Sequence, residues 1–236
     1  MSSLAQQVLA AGLGDRIFSE RQLGEALGGG NARRYGLVNR ALKNESLIRI
    51  RRGTYALAKA YRSAPMHPFA VAQALVPGSY ISFESALAYH GWIPEAVLVT
   101  ACVTHGRKTL EIPATEFGPF KYHPLAISDY QFLSAVERVT FNKLTAFVAQ
   151  PLRALMDIVA LRRVSWSDLD WLTSGMRIDE NALFALSQGD FAAVKSAYKH
   201  RAVHAFLAEL YAVVAKGSGR LDVFSMPKAE SLTPGV

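Results

Sequence analysis

The chain has 236 residues, half of them apolar, with 26 Lys or Arg against 19 Asp or Glu and a formal net charge of +7. That apolar content excludes a largely disordered chain and is enough for two domains with cores of their own. The single cysteine, Cys102, lies in the apolar run from Val97 to Val103, so no intrachain disulfide can form and its expected role is a small buried hydrophobe.

The excess charge is not spread evenly. Residues 1–62 hold eleven Lys or Arg against four acids, whereas residues 63–236 hold fifteen of each sign. A whole-chain excess confined to one short folded segment is the electrostatic footprint of a domain that sits on a polyanion. Gln6 and Gln7 interrupt the first apolar stretch, so no signal peptide is read there. The most apolar late segment, Ala202 to Ala215, carries His204 and Glu209 and is too short to span a bilayer. The expected location is the cytoplasm, with no membrane contact.

Leu4, Val8 and Leu9 recur at helical spacing before Gly12 and Gly14. Ser19 with Gln22 forms a capping-box pattern, which starts a second helix near Glu20 that carries Leu23, Ala26 and Leu27 inward and stops at Gly28-Gly29-Gly30. The three glycines read as an inter-helix turn, because no strand precedes them and no Gly-Lys-Ser/Thr follows. A third helix runs from Asn31 or Ala32 to about Glu45, with Tyr35, Val38, Ala41 and Leu42 on its inner side. Its other side collects Arg33, Gly36, Asn39, Arg40 and Lys43, with Arg34 beside them. Arg can fork onto guanine and Asn onto adenine, while Gly36 permits close approach to a major groove.

Leu47 to Leu57 then alternates apolar and basic residues and turns at Arg52-Gly53. Period-two geometry predicts Ile48 and Ile50 on one side of a two-stranded wing, Arg49 and Arg51 on the other, and Arg52 at the tip, placed for phosphates or a minor groove. Helix, capped helix, basic helix and basic hairpin in that order make a winged helix-turn-helix. Its expected DNA-binding residues are Arg33, Arg34, Gly36, Asn39, Arg40, Lys43, Arg49, Arg51 and Arg52.

A linker follows over 58–68, then a short helix from Phe69 to Leu75. Ser82 is expected to cap a helix that holds Glu84 in its first turn and ends at His90-Gly91. Short strands are read at 97–103, 109–112, 117–123, 136–141 and 145–148, and a helix opens at Pro151. Further helices are expected at about 166–174, 179–187, 190–199 and 201–216. The expected fold class is therefore α+β: a winged helix-turn-helix domain over 1–62, then a mixed domain over 63–217 with a mostly antiparallel sheet at about 97–148 and helices at about 151–216. A flexible tail over 218–236 completes the chain.

No constellation argues for catalysis, a metal or a cofactor. His200 and His204 stand at i and i+4, but Arg201 occupies the place where a metalloprotease needs Glu. Asp168 and Asp170 belong in the first turn of a helix, away from any magnesium cluster with Asp157. Ser82, Ser85 and His90 lack a Gly-x-Ser-x-Gly elbow. The alternative of a different class is a magnesium-dependent DNA nuclease with a winged-helix targeting head, in which Glu84, Glu111 and Glu116 hold the metal.

Three stretches resemble the AbiEi family of type IV toxin-antitoxin antitoxins and transcriptional regulators. They are Phe18-Ser19 with Leu47 to Tyr55, the block from Ser79 to Pro94 (Ser-Tyr-Ile-Ser-Phe-Glu-Ser-Ala-Leu-Ala-Tyr-His-Gly-Trp-Ile-Pro), and Pro151 to Asp157. In the third stretch this chain has Pro-Leu-Arg-Ala where the family usually has Pro-Glu-Lys-Ala. The resemblance implies a winged-helix head that represses its own operon at promoter inverted repeats, a body that counters a cognate nucleotidyltransferase toxin, and no enzyme activity. The partners it implies are double-stranded operator DNA and that toxin, with a monomer in solution and two copies on the DNA.

Overall fold

The computed structural model describes residues 3–113 and 116–217, and the expected tail over 218–236 lies outside them. The protein is α+β. A first unit contains α1 (Leu4–Ala10), β1 (Phe18–Ser19), α2 (Glu20–Leu27), α3 (Asn31–Lys43), β2 (Leu47–Arg51) and β3 (Thr54–Leu57). The expected capping box of Ser19 with Gln22 opens α2, and a second one, Ser3 with Gln6, opens α1. Gly53 at φ +75° makes the tight turn between β2 and β3. Reading a two-stranded hairpin here missed β1, which pairs antiparallel with β3 through Phe18 opposite Tyr55 and Ser19 opposite Thr54. The unit closes over its own core of Leu4, Val8, Phe18, Leu23, Leu27, Ala41, Leu47, Tyr55 and Leu57.

The larger unit is built on a six-stranded sheet. Its strands are β4 (Tyr80–Ile81), β5 (Thr100–Thr104), β6 (Leu110–Ile112), β7 (Phe120–Pro124), β8 (Val136–Phe141) and β9 (Leu144–Ala149). They lie in the order β6-β7-β5-β4-β9-β8. The sheet is mixed and mostly antiparallel, as expected: β4–β5, β6–β7 and β8–β9 are antiparallel, while β5 runs parallel to β7 and β4 parallel to β9, two pairings the sequence reading did not foresee. The parallel pairs occupy the middle, where Tyr80, Ile81, Cys102, Val103, Tyr122 and Val148 have no exposed surface. Strands covered on both faces read as continuous apolar runs rather than alternating ones, and parallel pairing suits them.

Helices complete the unit. α4 (Pro68–Leu75) lies against β5 and β9, and α5 (Phe83–Tyr89) packs along α6 (Pro151–Arg162), which also meets α8 (Gln188–Lys195) and α9 (Arg201–Gly217). α6 is buried nearly all round, from Leu152 to Val159, as a helix with no polar stripe must be. The helix expected at 166–174 reduces to a single π turn at Trp171–Gly175, capped by Asp168, whose Oδ1 accepts from the Asp170 and Trp171 amides. α7 spans only Glu180–Phe184. Among the described residues no helix is long and apolar enough to cross a membrane.

The two units are fastened together rather than strung on a linker. A 3-10 turn at Lys59–Tyr61 leads into Ser63, whose amide and hydroxyl both donate to Asp15 of the first unit. Lys143 pairs with the same carboxylate at 3.3 Å, and Arg62 pairs with Glu116. Ile50 and Ala56 leave the first unit's core and join that of the larger one, with Ile17 and Ile48 packed beside them.

Candidate nucleic-acid interface

α3 is positioned by what it buries. Ala41 is fully packed, with Leu37, Val38 and Leu42 around it, and this sets which residues face outward. Gly36, Asn39, Arg40 and Lys43 lie on the open side, as their spacing predicts. Tyr35 does not go inward: it is 71% exposed and joins that side. α3's core stripe is rotated away from Tyr35, so that Leu37 packs at its opposite edge beside Ala41.

Arg33 and Arg34 are held by the first unit itself. The Arg33 Nη1 donates to the Leu27 carbonyl at 2.9 Å and to the Gly28 carbonyl at 3.3 Å, satisfying acceptors that the end of α2 leaves open. A cation there also meets the negative end of the α2 dipole. Arg34 lies over Gly24, where an added Cβ would fall 2.6 Å from its Nη1, and it donates to the Asn31 side chain. Arg40 leans back along α3, with its Nε 3.3 Å from the Gly36 carbonyl.

The hairpin also departs from simple alternation. Arg49 stands opposite Tyr55, but Arg51 stands opposite Thr54, with a register shift between them at Ile50. Cross-strand partners share a face, and Thr54 and Tyr55 are adjacent, so the bulge sends Arg49 and Arg51 to opposite faces. Arg49 covers the Tyr55 ring, 5.8 Å from its centroid, on the side of the helices. Arg51 faces the larger unit: burial raises the Tyr122 phenol pKa, and the charge of Arg51 acts against that rise. Arg52 is exposed at the tip. The bulge follows from packing, since Ile50 is 9% exposed and sits in the larger unit's core.

One electrostatic property unites the set. Among the described residues, Arg33, Arg34, Arg40, Lys43, Arg49, Arg51 and Arg52 make no ion pair. In the larger unit Lys121, Lys143, Arg153, Arg162, Arg177 and Lys199 each close one, while Arg107, Lys108, Arg138, Arg163 and Arg201 close none among the described residues, so the first unit is set apart by its excess of cations over acids. The first unit's excess charge therefore survives folding uncompensated.

Comparison with known proteins gives a fold. No family model and no curated protein matches the chain. The fold is shared with a solved structure. The crystal structure of the RV2827C protein from Mycobacterium tuberculosis superposes with a TM-score of 0.53 over 95% of this chain and 83% of that chain. The two sequences are 14% identical, so the likeness speaks of the fold alone.

The remaining candidate groups are dispersed. Glu84 pairs with Arg162, Glu111 with Lys121 at 2.8 Å and Glu116 with Arg62, so each acid of the nuclease alternative has its own cation. The described residues hold no group of three or more His, Cys, Asp or Glu placed to take a metal ion. Ser82 is at the cap position of α5 but does not cap it: its hydroxyl donates to Asp157 at 2.6 Å, and Phe83 after it takes a left-handed φ of 56°. The Ser85 hydroxyl donates to the Val99 carbonyl, and the His90 Nε2 lies 2.9 Å from the Ala149 carbonyl. His204 Nε2 lies 2.7 Å from the Tyr198 carbonyl, while His200 is exposed ahead of α9.

Asp157 is the centre of a polar cluster that sequence reading missed. Asp157 and Arg153 are both fully buried. Tyr80, Ser82 and Tyr198 donate hydroxyl hydrogens to the carboxylate, and Arg153 reaches it through Nε at 3.3 Å. Arg153 also donates to the Ser134 carbonyl and the Tyr80 hydroxyl. Burial and then the Asp157 charge push both phenols well above their usual pKa. Only the i, i+4 spacing of Arg153 and Asp157 was visible beforehand, and it does not reveal burial.

Proposed function

We propose that this chain is a DNA-binding antitoxin and autorepressor of the AbiEi type, with a winged helix-turn-helix head. The carrying observation is that Arg40 and Lys43 on α3 and Arg49 and Arg52 on the β2–β3 hairpin stay exposed and without an ion-pair partner among the described residues. Phosphates along a duplex supply those counter-ions, releasing condensed salt as they do. α1, α2 and α3 followed by a twisted hairpin, with β1 as a short third strand, are the parts a winged helix-turn-helix requires.

On this reading the open side of α3 enters the major groove. Asn39 and Arg40 are its base-reading candidates, while Lys43, Arg49 and Arg52 meet phosphates. Arg33 and Arg34 shape the turn between α2 and α3, and they act on DNA through α3's placement. The larger unit bears the antitoxin role that the AbiEi resemblance implies. Two of the three stretches behind that resemblance meet in it, since Tyr80 and Ser82 of one hydrogen-bond Asp157 of the other.

The test uses the whole chain, because the larger unit borrows Ile50 and Ala56 from the head. Full-length protein should retard duplex from its own upstream region, and the Asn39→Ala/Arg40→Ala variant should not. The antitoxin half is tested by co-expression with a neighbouring nucleotidyltransferase gene. Growth arrest that this chain relieves supports the reading; arrest that it leaves untouched removes it.

A further inference from the structure

Two neighbours on α3 have properties that the folded chain itself does not use. Tyr35 holds 71% of its surface in water although it stands in the middle of a packed helix–hairpin unit. Gly36 lies inside α3 with no left-handed φ, and a Cβ built on it meets nothing within 4 Å. Neither backbone geometry nor a crowding neighbour therefore calls for glycine, and glycine weakens a helix interior. An outward bulky ring next to an outward gap makes a ridge and a notch. Asn39 follows Tyr35 by one turn on the same side, and Arg40 follows Gly36.

We propose that Tyr35 and Gly36 form a thymine-reading element. The α3 backbone presses into the groove at Gly36, and the Tyr35 ring covers the 5-methyl group of a thymine beside an adenine held by Asn39. The occupant is duplex DNA rather than a protein groove because the ridge is flanked by the uncompensated cations Arg40 and Lys43. The element rests on the reading of this head as DNA-binding, and it names the base step that the head prefers.

Full-length protein is used to select duplexes from a random-sequence pool, and the enriched duplex is then remade with uracil replacing each thymine in turn. Removing one methyl should weaken wild-type binding about fourfold at a single position, the size expected for one buried methyl. Tyr35→Phe should keep that sensitivity. Tyr35→Ala should bind thymine and uracil duplexes alike. Gly36→Ala should raise the thermal midpoint by about 2–4 °C, as a helix interior gains from losing glycine, yet weaken duplex binding by roughly tenfold.

Failure of the parent reading and failure of this element look different. If no duplex is enriched, the DNA-binding assignment falls and the element with it. If a duplex is enriched but Tyr35→Ala keeps the uracil sensitivity, or Gly36→Ala binds as well as wild type, the element alone is wrong. A Tyr35→Ala variant that keeps its site preference but no longer relieves the toxin would place a protein on this ridge and also overturn the proposal.

Discussion

Arg153 and Asp157 stand one helical turn apart on α6, 3.3 Å from guanidinium nitrogen to carboxylate oxygen, and neither exposes any surface. Burial works to lower the Arg153 pKa, but the carboxylate and the two phenols beside it carry the value above its usual one. A pair held this way resists the loss of one member far more than the loss of both, because the survivor is left as an unpaired charge in an apolar core. Asp157→Ala should cost about 3–5 kcal/mol in urea denaturation, and Arg153→Met with Asp157→Leu should cost less than Asp157→Ala alone. A loss under about 1 kcal/mol for Asp157→Ala would mean that the cluster does not hold the unit together.

Acid should loosen the join between the two units. The Ser63 hydroxyl and amide hold the Asp15 carboxyl below its usual pKa, with Lys143 assisting and partial burial opposing. A carboxyl depressed in the folded state contributes stability that is fully present above its unfolded pKa, about 4, and is lost as pH falls through the folded value. Wild type and Asp15→Asn should therefore differ in denaturation midpoint at pH 7 and converge as pH drops below about 4. A constant difference down to pH 2.5 or so would show that Asp15 is not the titrating latch.

Arg33 should behave as a structural residue. Its guanidinium is committed to the Leu27 and Gly28 carbonyls. Arg33→Ala should lower stability by about 1 kcal/mol and leave the preferred duplex sequence unchanged. Arg40→Ala and Asn39→Ala should do the reverse, relaxing preference at one base pair by about 1–3 kcal/mol with little change in stability. Competition binding against single-base-pair variants of the selected duplex separates the two classes. A changed site preference in Arg33→Ala would return that residue to the groove.

Arg49 and Arg52 should act on every sequence alike. Arg49 lies on the helix side of the hairpin and Arg52 at its tip, where phosphates rather than base edges are in reach. Replacing either with Ala should lower affinity for selected and unrelated duplexes by the same factor and reduce the salt slope by about one. Arg51, turned toward the larger unit, should have the weaker effect of the three. An Arg51→Ala loss exceeding that of Arg52→Ala would contradict the register shift at Ile50.

Local signals were legible and tertiary ones were not. The capping box at Ser19, the glycine turn at Gly53 and the proline start of α6 are fixed by residues within four positions of one another, so spacing alone reveals them, and the same Ser-x-x-Gln spacing at Ser3 went unread. Tyr35 was misplaced because 100° periodicity gives the width of an apolar stripe but not which edge meets the core, and the core extends to Leu37 on the edge opposite Tyr35. The bulge at Ile50 was hidden because a second unit, not the hairpin, buries that side chain. The parallel pairs were missed for a related reason: two-residue β4 has almost no pattern of its own, and its partners lie over 20 and 60 residues along the chain. Asp157 gathers hydroxyls from 41 to 77 residues away in sequence, a relation no spacing rule reports.

The central claim is that the uncompensated cations of α3 and the hairpin bind a duplex. Equilibrium binding of full-length protein to duplex from its own upstream region, measured from about 50 to 200 mM salt, tests it most directly. With Lys43, Arg49 and Arg52 of two copies on phosphates the affinity should fall by about a thousandfold across that range, or about fortyfold for one copy, and the Arg49→Ala/Arg52→Ala variant should show a shallower slope. Binding that is absent at the lowest salt, or that holds constant across the range in both proteins, would contradict it.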